Sequence, residues 1–293
     1  MKKTTASLIV ASLFFAAPAQ QKKITLVNPS TLQREEEVIE ITWDKIISVY
    51  PKLDRSNFKV INAVSKKEYP YQLEHRGSTQ VQSLLVQLTI PAKSTVQLEL
   101  LKGKPMPVVA KTYCRYVPER KDDFAWENDK IAHRTYGREL EKTPSQMAYG
   151  IDVWVKRTDK LVLNERYKQV GDYHTDMGDG LDYYNVGHSL GAGAIAPYIQ
   201  DSIWFPRNYR DWKVLDNGPL RSTFQLFFDE WTAGGTKMKM VKTISISAGS
   251  QMTKNEVSLE PTGKDSVPVV VGIIKRKDPG ELLLDEKGGT LAY

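Results

Sequence analysis

The densest group of chemically reactive side chains lies in residues 173–198, the stretch YHTDMGDGLDYYNVGHSLGAGAIAPY. It holds two of the four histidines of the chain, together with three aspartates, four tyrosines and five glycines. The composition is that of a loop, and a long loop rich in such groups is more often functional than connective. The chemistry of this stretch is therefore the first indication of function.

Acid–base chemistry by histidine and tyrosine is one hypothesis that the residue types support. Histidine is the residue type whose ordinary pKa lies near neutrality, and the candidates in this part of the chain are His133, His174 and His188. Tyr136 and Tyr183 carry phenols that can exchange a proton when a cation lies beside them. Such a set suits proton abstraction next to a carboxylate. The alternative is that these side chains are structural groups at the edge of the core, and the residue types alone do not decide between the two.

Cationic and aromatic side chains would complete such a site. The guanidinium of Arg134 can pair with a substrate carboxylate through two parallel hydrogen bonds, and Arg138 is a second candidate. Trp126 and Trp231 offer faces on which sugar rings stack, although buried packing is the commoner role of tryptophan. Glu230, beside Trp231, is a further candidate for substrate binding.

A divalent metal is a second hypothesis for the same loop. Imidazoles suit zinc and carboxylates suit calcium. The loop offers both, in His174, Asp176 and Asp179 together with Asp182 and His188. Their spacing matches no standard site, and Asp-Gly pairs are common in turns. Turn formation is the better explanation of Asp176 and Asp179, and the cofactor stays undetermined.

Paired carboxylates would support a different reaction, the hydrolysis of a glycoside. The candidate residues for this alternative are Glu127, Asp129, Asp176, Asp179 and Glu230. Two further alternatives are a non-catalytic glycan-binding protein, which needs only the aromatic and polar side chains, and an aldose epimerase.

Two familiar motifs in the loop lack the context that their chemistry requires. Residues 187–191, GHSLG, match the nucleophile elbow of lipases, but no histidine follows Ser189 to complete a triad. Residues 191–196, GAGAIA, match a dinucleotide-binding pattern, but no βαβ unit surrounds them. Neither motif predicts function here.

The elements that must position these residues are β-strands. Short alternating runs separated by Pro, Asn, Ser and Gly predict a small β-sandwich over residues 20–108. A proline-containing connector follows, and residues 109–293 continue as antiparallel strands that carry the candidate site. Helices and strands do not alternate, which argues against a parallel α/β sheet. The predicted fold class is all-β, and the strand pattern that ends at Tyr293 predicts a longer natural C-terminus.

Residues 126–135 read as one extended strand. In that case Trp126 and Arg134 share one face, and Glu127, Asp129 and His133 share the other. Burying the second group without partners is costly, so its clustering favours a cleft.

The N-terminus has the three parts of a secretory signal peptide. Lys2 and Lys3 precede a short apolar run, and residues 17–19, Ala-Pro-Ala, form a small-residue cleavage site. The apolar run is too short to span a membrane. Residues 1–19 are therefore predicted to be removed, which predicts a periplasmic or secreted protein.

Charge and cysteine content narrow the range of partners. Cys114 is the single cysteine, so no intrachain disulfide forms. The net charge of +6 is spread along the chain without a Lys/Arg block, which argues against nucleic-acid binding. A mildly basic protein suits an acidic partner such as an anionic glycan.

Several separated segments resemble one secreted bacterial family, the domain of unknown function numbered 4861. They are FAWENDKIAHRTYG, GIDVWVKRT, residues 173–198 and FDEWTAGG. The resemblance implies a galactose-mutarotase-like supersandwich, a large antiparallel β fold found in carbohydrate-active enzymes, in a family associated with polysaccharide degradation. It also implies action on uronic-acid-containing oligosaccharides by elimination of a glycoside or of water, as in lyases and dehydratases. It does not supply catalytic residues.

Overall fold

A computed structural model describes residues 22–168, 175–182, 185–275, 277 and 280–293. These residues form an all-β sandwich arrangement of antiparallel sheets with two short α-helices, which confirms the predicted fold class. The predicted signal peptide and the candidates His174 and Tyr183 lie outside the described residues.

The elements follow in chain order. The strands are β1 Ile24–Val27, β2 Arg34–Thr42, β3 Phe58–Asn62, β4 Glu68–Tyr69, β5 Tyr71–Glu74, β6 Ser83–Ile90, β7 Thr95–Lys102, β8 Thr112–Val117, β9 Asp123–Asn128, β10 Ile131–Thr135, β11 Asp152–Lys156, β12 Gly180–Leu181, β13 Ala192–Ile199, β14 Ser202–Ile203, β15 Asp211–Asn217, β16 Arg221–Ala233, β17 Thr236–Ser247, β18 Thr253–Pro261, β19 Val269–Ile273, β20 Leu283–Asp285 and β21 Thr290–Ala292. The helices are α1 Trp43–Val49 and α2 Leu163–Lys168, with 3-10 turns at Pro118–Arg120, Arg138–Lys142 and Pro144–Gln146.

The N-terminal strands form two sheets that share one core. Their strand orders are β1-β7-β3-β4 and β2-β6-β5. Strand β7 alternates buried and less buried residues, as expected of a strand with one face in a core. Phe58, Leu84 and Leu98 are fully buried between the sheets. The proline-containing segment 103–111 that follows carries no strand.

Two larger sheets face each other in the C-terminal part. One has the order β12-β11-β10-β9-β8, and the other has the order β15-β16-β17-β18. Phe124 of the first sheet stacks on Phe224 of the second, with ring centroids 4.2 Å apart. Trp126 also contacts Phe224, and its indole Nε1 donates to Thr253 Oγ1 at 3.2 Å. These aromatic contacts fix the relative position of the two sheets.

Polar side chains join the N-terminal sheets to β15 and β16. The Gln72 side chain accepts from the backbone N–H groups of Leu220 and Arg221 and donates to the Arg221 carbonyl. The Asp216 carboxylate accepts from the backbone N–H groups of His75 and Arg76. The strands that carry the candidate residues are thereby attached to the N-terminal sheets.

The prediction of one strand over residues 126–135 is wrong, because the chain turns back between β9 and β10. The Asn128 Oδ1 accepts from the backbone N–H groups of Lys130 and Ile131, which stabilises a tight turn. The turn places His133 directly opposite Trp126 on one face of the sheet. Glu127 lies opposite Ala132, on the other face.

None of the described helices is long and apolar enough to cross a membrane.

Replacing Phe224 by alanine tests the aromatic contact between the two large sheets. We expect Phe224→Ala to lower the free energy of unfolding by about 3–5 kcal/mol, because it leaves a cavity against Phe124 and Trp126. Urea denaturation measures this change. The matched control is Lys239→Ala, on an exposed position of β17, with an expected effect within about 0.5 kcal/mol. Equal effects of the two substitutions would contradict the packing account.

Candidate functional site

Arg134 is the centre of a buried ionic cluster on the face of β9–β11 that α2 covers. Its Nε donates to Asp152 Oδ2 at 2.6 Å and its Nη2 donates to Asp182 Oδ2 at 2.7 Å. Arg134 Nη1 also forms an ion pair with Asp123 Oδ2, 3.7 Å away. The Arg134 side chain is only 5% exposed. The guanidinium therefore has carboxylate partners within the protein, which argues against its predicted role in substrate binding.

Tyr136 belongs to the same cluster. Its hydroxyl donates to Asp152 Oδ2 at 2.9 Å, and its ring lies beneath the Arg134 guanidinium. Burial raises the pKa of Tyr136 far above its usual value, even though Arg134 acts in the opposite direction. The phenol is consequently held as a neutral hydrogen-bond donor inside the protein.

Asp123 is the least satisfied member of the cluster. Its side chain is fully buried and its Oδ2 accepts no hydrogen bond among the described residues. Burial raises the pKa of Asp123 to about 7, against the lowering effect of Arg134 and Arg120. The acid thus remains largely protonated in mildly acidic solution.

His133 projects from the opposite face of the sheet to Arg134. Its ring stacks on Trp126 with centroids 5.4 Å apart, and its Nδ1 lies 3.3 Å from the Asp152 carbonyl oxygen. Its Nε2 is buried and has no hydrogen-bond partner in the described part of the chain. Burial lowers the pKa of His133 to about 4, so the ring is neutral at neutral pH. His133 and Arg134 do not converge on one cleft.

The predicted metal residues of the loop are paired with arginines. Asp176 forms an ion pair with Arg157, and Asp179 pairs with Arg166 of α2. The Asp176 Oδ1 also accepts from the backbone N–H of Gly178, as in a turn. No group of three or more metal-ligating side chains occurs among the residues that the structure describes.

Residues 187–191 form a fixed turn. The Ser189 hydroxyl donates to the Val186 carbonyl at 2.6 Å and accepts from the Gly191 N–H at 3.0 Å. Gly191 has a φ of +63°, and an added Cβ would come 2.2 Å from the Ile151 carbonyl oxygen. The serine is a structural residue of the turn, and the turn is anchored to the beginning of β11.

This turn presents His188 at the surface, next to an aromatic pair. The exposed His188 ring contacts Tyr149 edge-on, with centroids 5.4 Å apart and an interplanar angle of 87°. Tyr149 stacks in turn on Phe205 at 5.2 Å. Exposed Arg207 completes the group, which we call the His188 site: His188, Tyr149, Phe205 and Arg207.

Partial burial and the neighbouring charges together determine the protonation state of Tyr149. Partial burial, followed by the charge of Glu141, raises the pKa of Tyr149, and Arg207 acts in the opposite direction. The phenol is therefore neutral near neutral pH and carries a proton. Arg207 makes no ion pair or side-chain hydrogen bond within the described part of the chain.

Hydrogen bonds hold the segment of Arg207 against the segment of Tyr149. The Glu141 carboxylate accepts from the Asn208 backbone N–H at 2.8 Å and from the Arg210 guanidinium at 3.0 Å through both oxygens. The Asn208 side chain donates to the Gly137 carbonyl at 3.1 Å. The His188 site is therefore assembled from three chain segments, 137–149, 187–191 and 205–210.

The remaining predicted residues lie elsewhere. Trp126 is fully buried in the core. Arg138 is exposed at the beginning of a 3-10 turn. Glu230 pairs with Lys237 at 3.1 Å across the β16–β17 hairpin, and the indole Nε1 of the neighbouring Trp231 is buried with no hydrogen-bond partner among the described residues.

Of the four residues of the His188 site, His188 is a candidate from the sequence, whereas Tyr149, Phe205 and Arg207 are not. Tyr149 precedes Gly150 in no recognisable motif, and the segment FPRNYRDW reads as an ordinary connector. The one local signal is an arginine between aromatic residues in a proline-containing loop.

The fold and the site define an all-β protein with a surface histidine–tyrosine–arginine group. The chain belongs to the family described as Domain of unknown function (DUF4861), whose model matches residues 26–293, and this confirms the family predicted from the sequence. It is 30% identical over 305 residues to "Uncharacterized protein P7" of Formosa agariphila, an alignment that covers 97% of this chain and 75% of that protein. No solved structure matches the chain.

Asp123 and His133 are buried ionisable groups that predict opposite effects of pH on stability. Folded Asp123, with a pKa of about 7, keeps a proton that an unfolded aspartate releases at a pKa of ~3.9. Folding then takes up a proton, so this contribution to the free energy of unfolding is lost as the pH rises from ~4 to ~7. Folded His133 lacks a proton that an unfolded histidine binds below a pKa of ~6.5, so its contribution rises over ~4 to ~6.5.

Urea denaturation as a function of pH separates these contributions. The free energy of unfolding of the wild type minus that of Asp123→Asn should fall with pH, by at most about 1.4 kcal/mol per pH unit. The free energy of unfolding of the wild type minus that of the control His133→Asn should rise with pH. Differences that are independent of pH, or of the reversed sign, would contradict the burial of these groups.

Proposed function

We propose that this protein is an exported carbohydrate-active enzyme that cleaves or dehydrates uronic-acid-containing oligosaccharides by β-elimination at the His188 site. The observation that carries this proposal is an exposed imidazole held against a neutral phenol, beside an arginine that has no ion pair within the described residues. These three groups supply a base, an acid and a carboxylate partner, which are the requirements of proton abstraction next to a carboxylate.

The proposed reaction assigns one role to each residue. Arg207 pairs with the substrate carboxylate and reduces the cost of negative charge on the adjacent carbon. His188 removes the proton from that carbon, and the released electron pair forms a C=C bond to the neighbouring ring carbon. The bond between that neighbouring carbon and its oxygen breaks, and Tyr149 donates a proton to the departing oxygen. The leaving group is a sugar hydroxyl in a lyase and water in a dehydratase.

Phe205 contributes by fixing the acid. Its ring stacks on Tyr149 with an interplanar angle of 19°, so the phenol cannot rotate freely. The Glu141–Arg210 pair holds the neighbouring segment in place. A pre-positioned acid and base lower the entropic cost of reaching the transition state.

The alternative hydrolase lacks an available pair of carboxylates among its candidates. Glu127 pairs with buried Lys156 and accepts from the N–H groups of Val162 and Leu163 at the beginning of α2. Asp129 accepts from the Gly249 N–H. Asp176, Asp179 and Glu230 form the ion pairs described above. Each carboxylate thus has a structural role, which favours elimination.

The experiment is a turnover assay on uronate-containing oligosaccharides, in which the ultraviolet absorbance of the new conjugated C=C bond is followed. We expect His188→Ala and Tyr149→Phe to lower kcat by ~10²–10⁴, the contribution typical of general acid–base catalysis. Arg207→Ala should lower kcat/KM by about 10–100-fold, because a hydrogen bond to a charged group is worth about 1.5–3 kcal/mol.

Matched controls separate the site from general effects on the protein. His75→Ala removes a histidine at a turn of the N-terminal sheets, and Arg34→Ala removes an exposed arginine of β2, so both variants should keep wild-type rates. Release of reducing sugar without new absorbance would instead indicate hydrolysis. Saturable glycan binding without turnover, unchanged in His188→Ala, would indicate a binding protein. Either result would overturn the proposal.

A further inference from the structure

Lys242 is a buried lysine in the middle of strand β17. Its side chain lies on the inner face of the sheet, the same face as buried Met240 and Ile244, and only 6% of the residue is exposed. Its direct neighbours across the sheet are Leu226 on β16 and Val257 on β18. The amine therefore lies in largely apolar surroundings.

The amine has no polar partner in the part of the chain that the structure describes. Among the described residues it forms no ion pair and no hydrogen bond, and its Nζ lies over the Phe228 ring, 5.1 Å from the centroid. Lys156, by contrast, is a buried lysine whose amine is fully hydrogen-bonded and has a structural role. Its Nζ donates to the Glu127 carboxylate at 2.8 Å and to the carbonyls of Asn128 and Lys160 at 2.7 and 2.6 Å.

This difference has a chemical consequence. A charged ammonium without acceptors is expensive to bury, so the neutral amine is favoured. Burial lowers the pKa of Lys242 to about 8, and no other group contributes to this shift. A neutral amine is a nucleophile, and lysines in such surroundings are suited to forming imines with carbonyl compounds. The protein does not enclose the Lys242 Nζ completely, so the amine keeps a small contact with solvent.

We propose that Lys242 is a carbonyl-reactive amine that forms an imine with a small uncharged aldehyde. Nζ attacks the carbonyl carbon to form a C–N bond, the carbonyl oxygen leaves as water with the two amine protons, and a C=N bond remains. The surrounding Leu226, Phe228, Met240 and Val257 side chains are apolar, which favours an uncharged ligand over an anion. The inference does not depend on the proposed elimination reaction.

The test uses acetaldehyde as the probe and cyanoborohydride to trap the imine, with N-ethylation located by peptide mass spectrometry. Exposed Lys239 on the same strand is the internal control. An amine with a pKa near 8 is half neutral at about pH 8, whereas an ordinary lysine with a pKa of ~10.4 is still mostly protonated there. The ratio of Lys242 to Lys239 ethylation should therefore fall more than about tenfold between pH 8 and pH 10.

Each outcome is decisive. A falling ratio supports the proposal, and loss of the labelled peptide in Lys242→Met confirms the assignment. An unlabelled Lys242, or a ratio that does not change with pH, overturns it. Because both lysines are compared in one sample of wild-type protein, the test stands even if Lys242→Met does not fold.

Discussion

The burial of the Arg134 guanidinium is the constraint on which this structure depends. A charge that is removed from water must be paired, and removing one partner of such a pair is strongly destabilising. The protein meets this requirement with Asp123, Asp152 and Asp182, which come from β9, β11 and the segment after β12. The cluster therefore joins the middle of the sheet to the loop that follows β12.

The same requirement explains why most charged residues of this region have structural roles. Glu127 and Lys156 satisfy each other beside the start of α2, and Arg166 of α2 binds Asp179 and the carbonyls of Thr175 and Gly180. These bonds attach α2 and segment 175–180 to the sheet. Groups that are buried and fully paired are unavailable to a substrate, so chemistry is expected where polar groups remain exposed and unpaired.

His188 and Arg207 meet that description. Both side chains are exposed. A hydrogen-bonded turn holds the segment that carries His188, and the Glu141–Arg210 ion pair holds the segment that carries Arg207. The buried network joins the strands of the sheet, and the side chains proposed to react lie on turns and loops outside it. This division between scaffold and loops is common in enzymes.

The strand pattern of the sequence was sufficient to predict the all-β class, because alternation of apolar residues is a local property. The pairing of strands is not local. The turn at Asn128 divides one predicted strand into two, and this change alone moves His133 to the side of Trp126 and separates it from Glu127. Asp152 and Asp182 could not be assigned to Arg134 from sequence, since they lie 18 and 48 residues away from it.

The candidate site shows the same limit. His188 was predicted because its loop is unusual in composition, which is visible in the sequence. Tyr149 and Arg207 join it only through the folding of three separate segments, and neither belongs to a motif. Their proposed roles depend on where they lie in the fold, which residue types alone do not indicate.

The most direct test of this account is an NMR titration of the histidine imidazoles with a uronate oligosaccharide. The chain has four histidines, so assignment by single substitutions is practical. The account predicts saturable shifts of the His188 signals, with the His133 signals unchanged. Shifts of His133 with no change at His188 would contradict it.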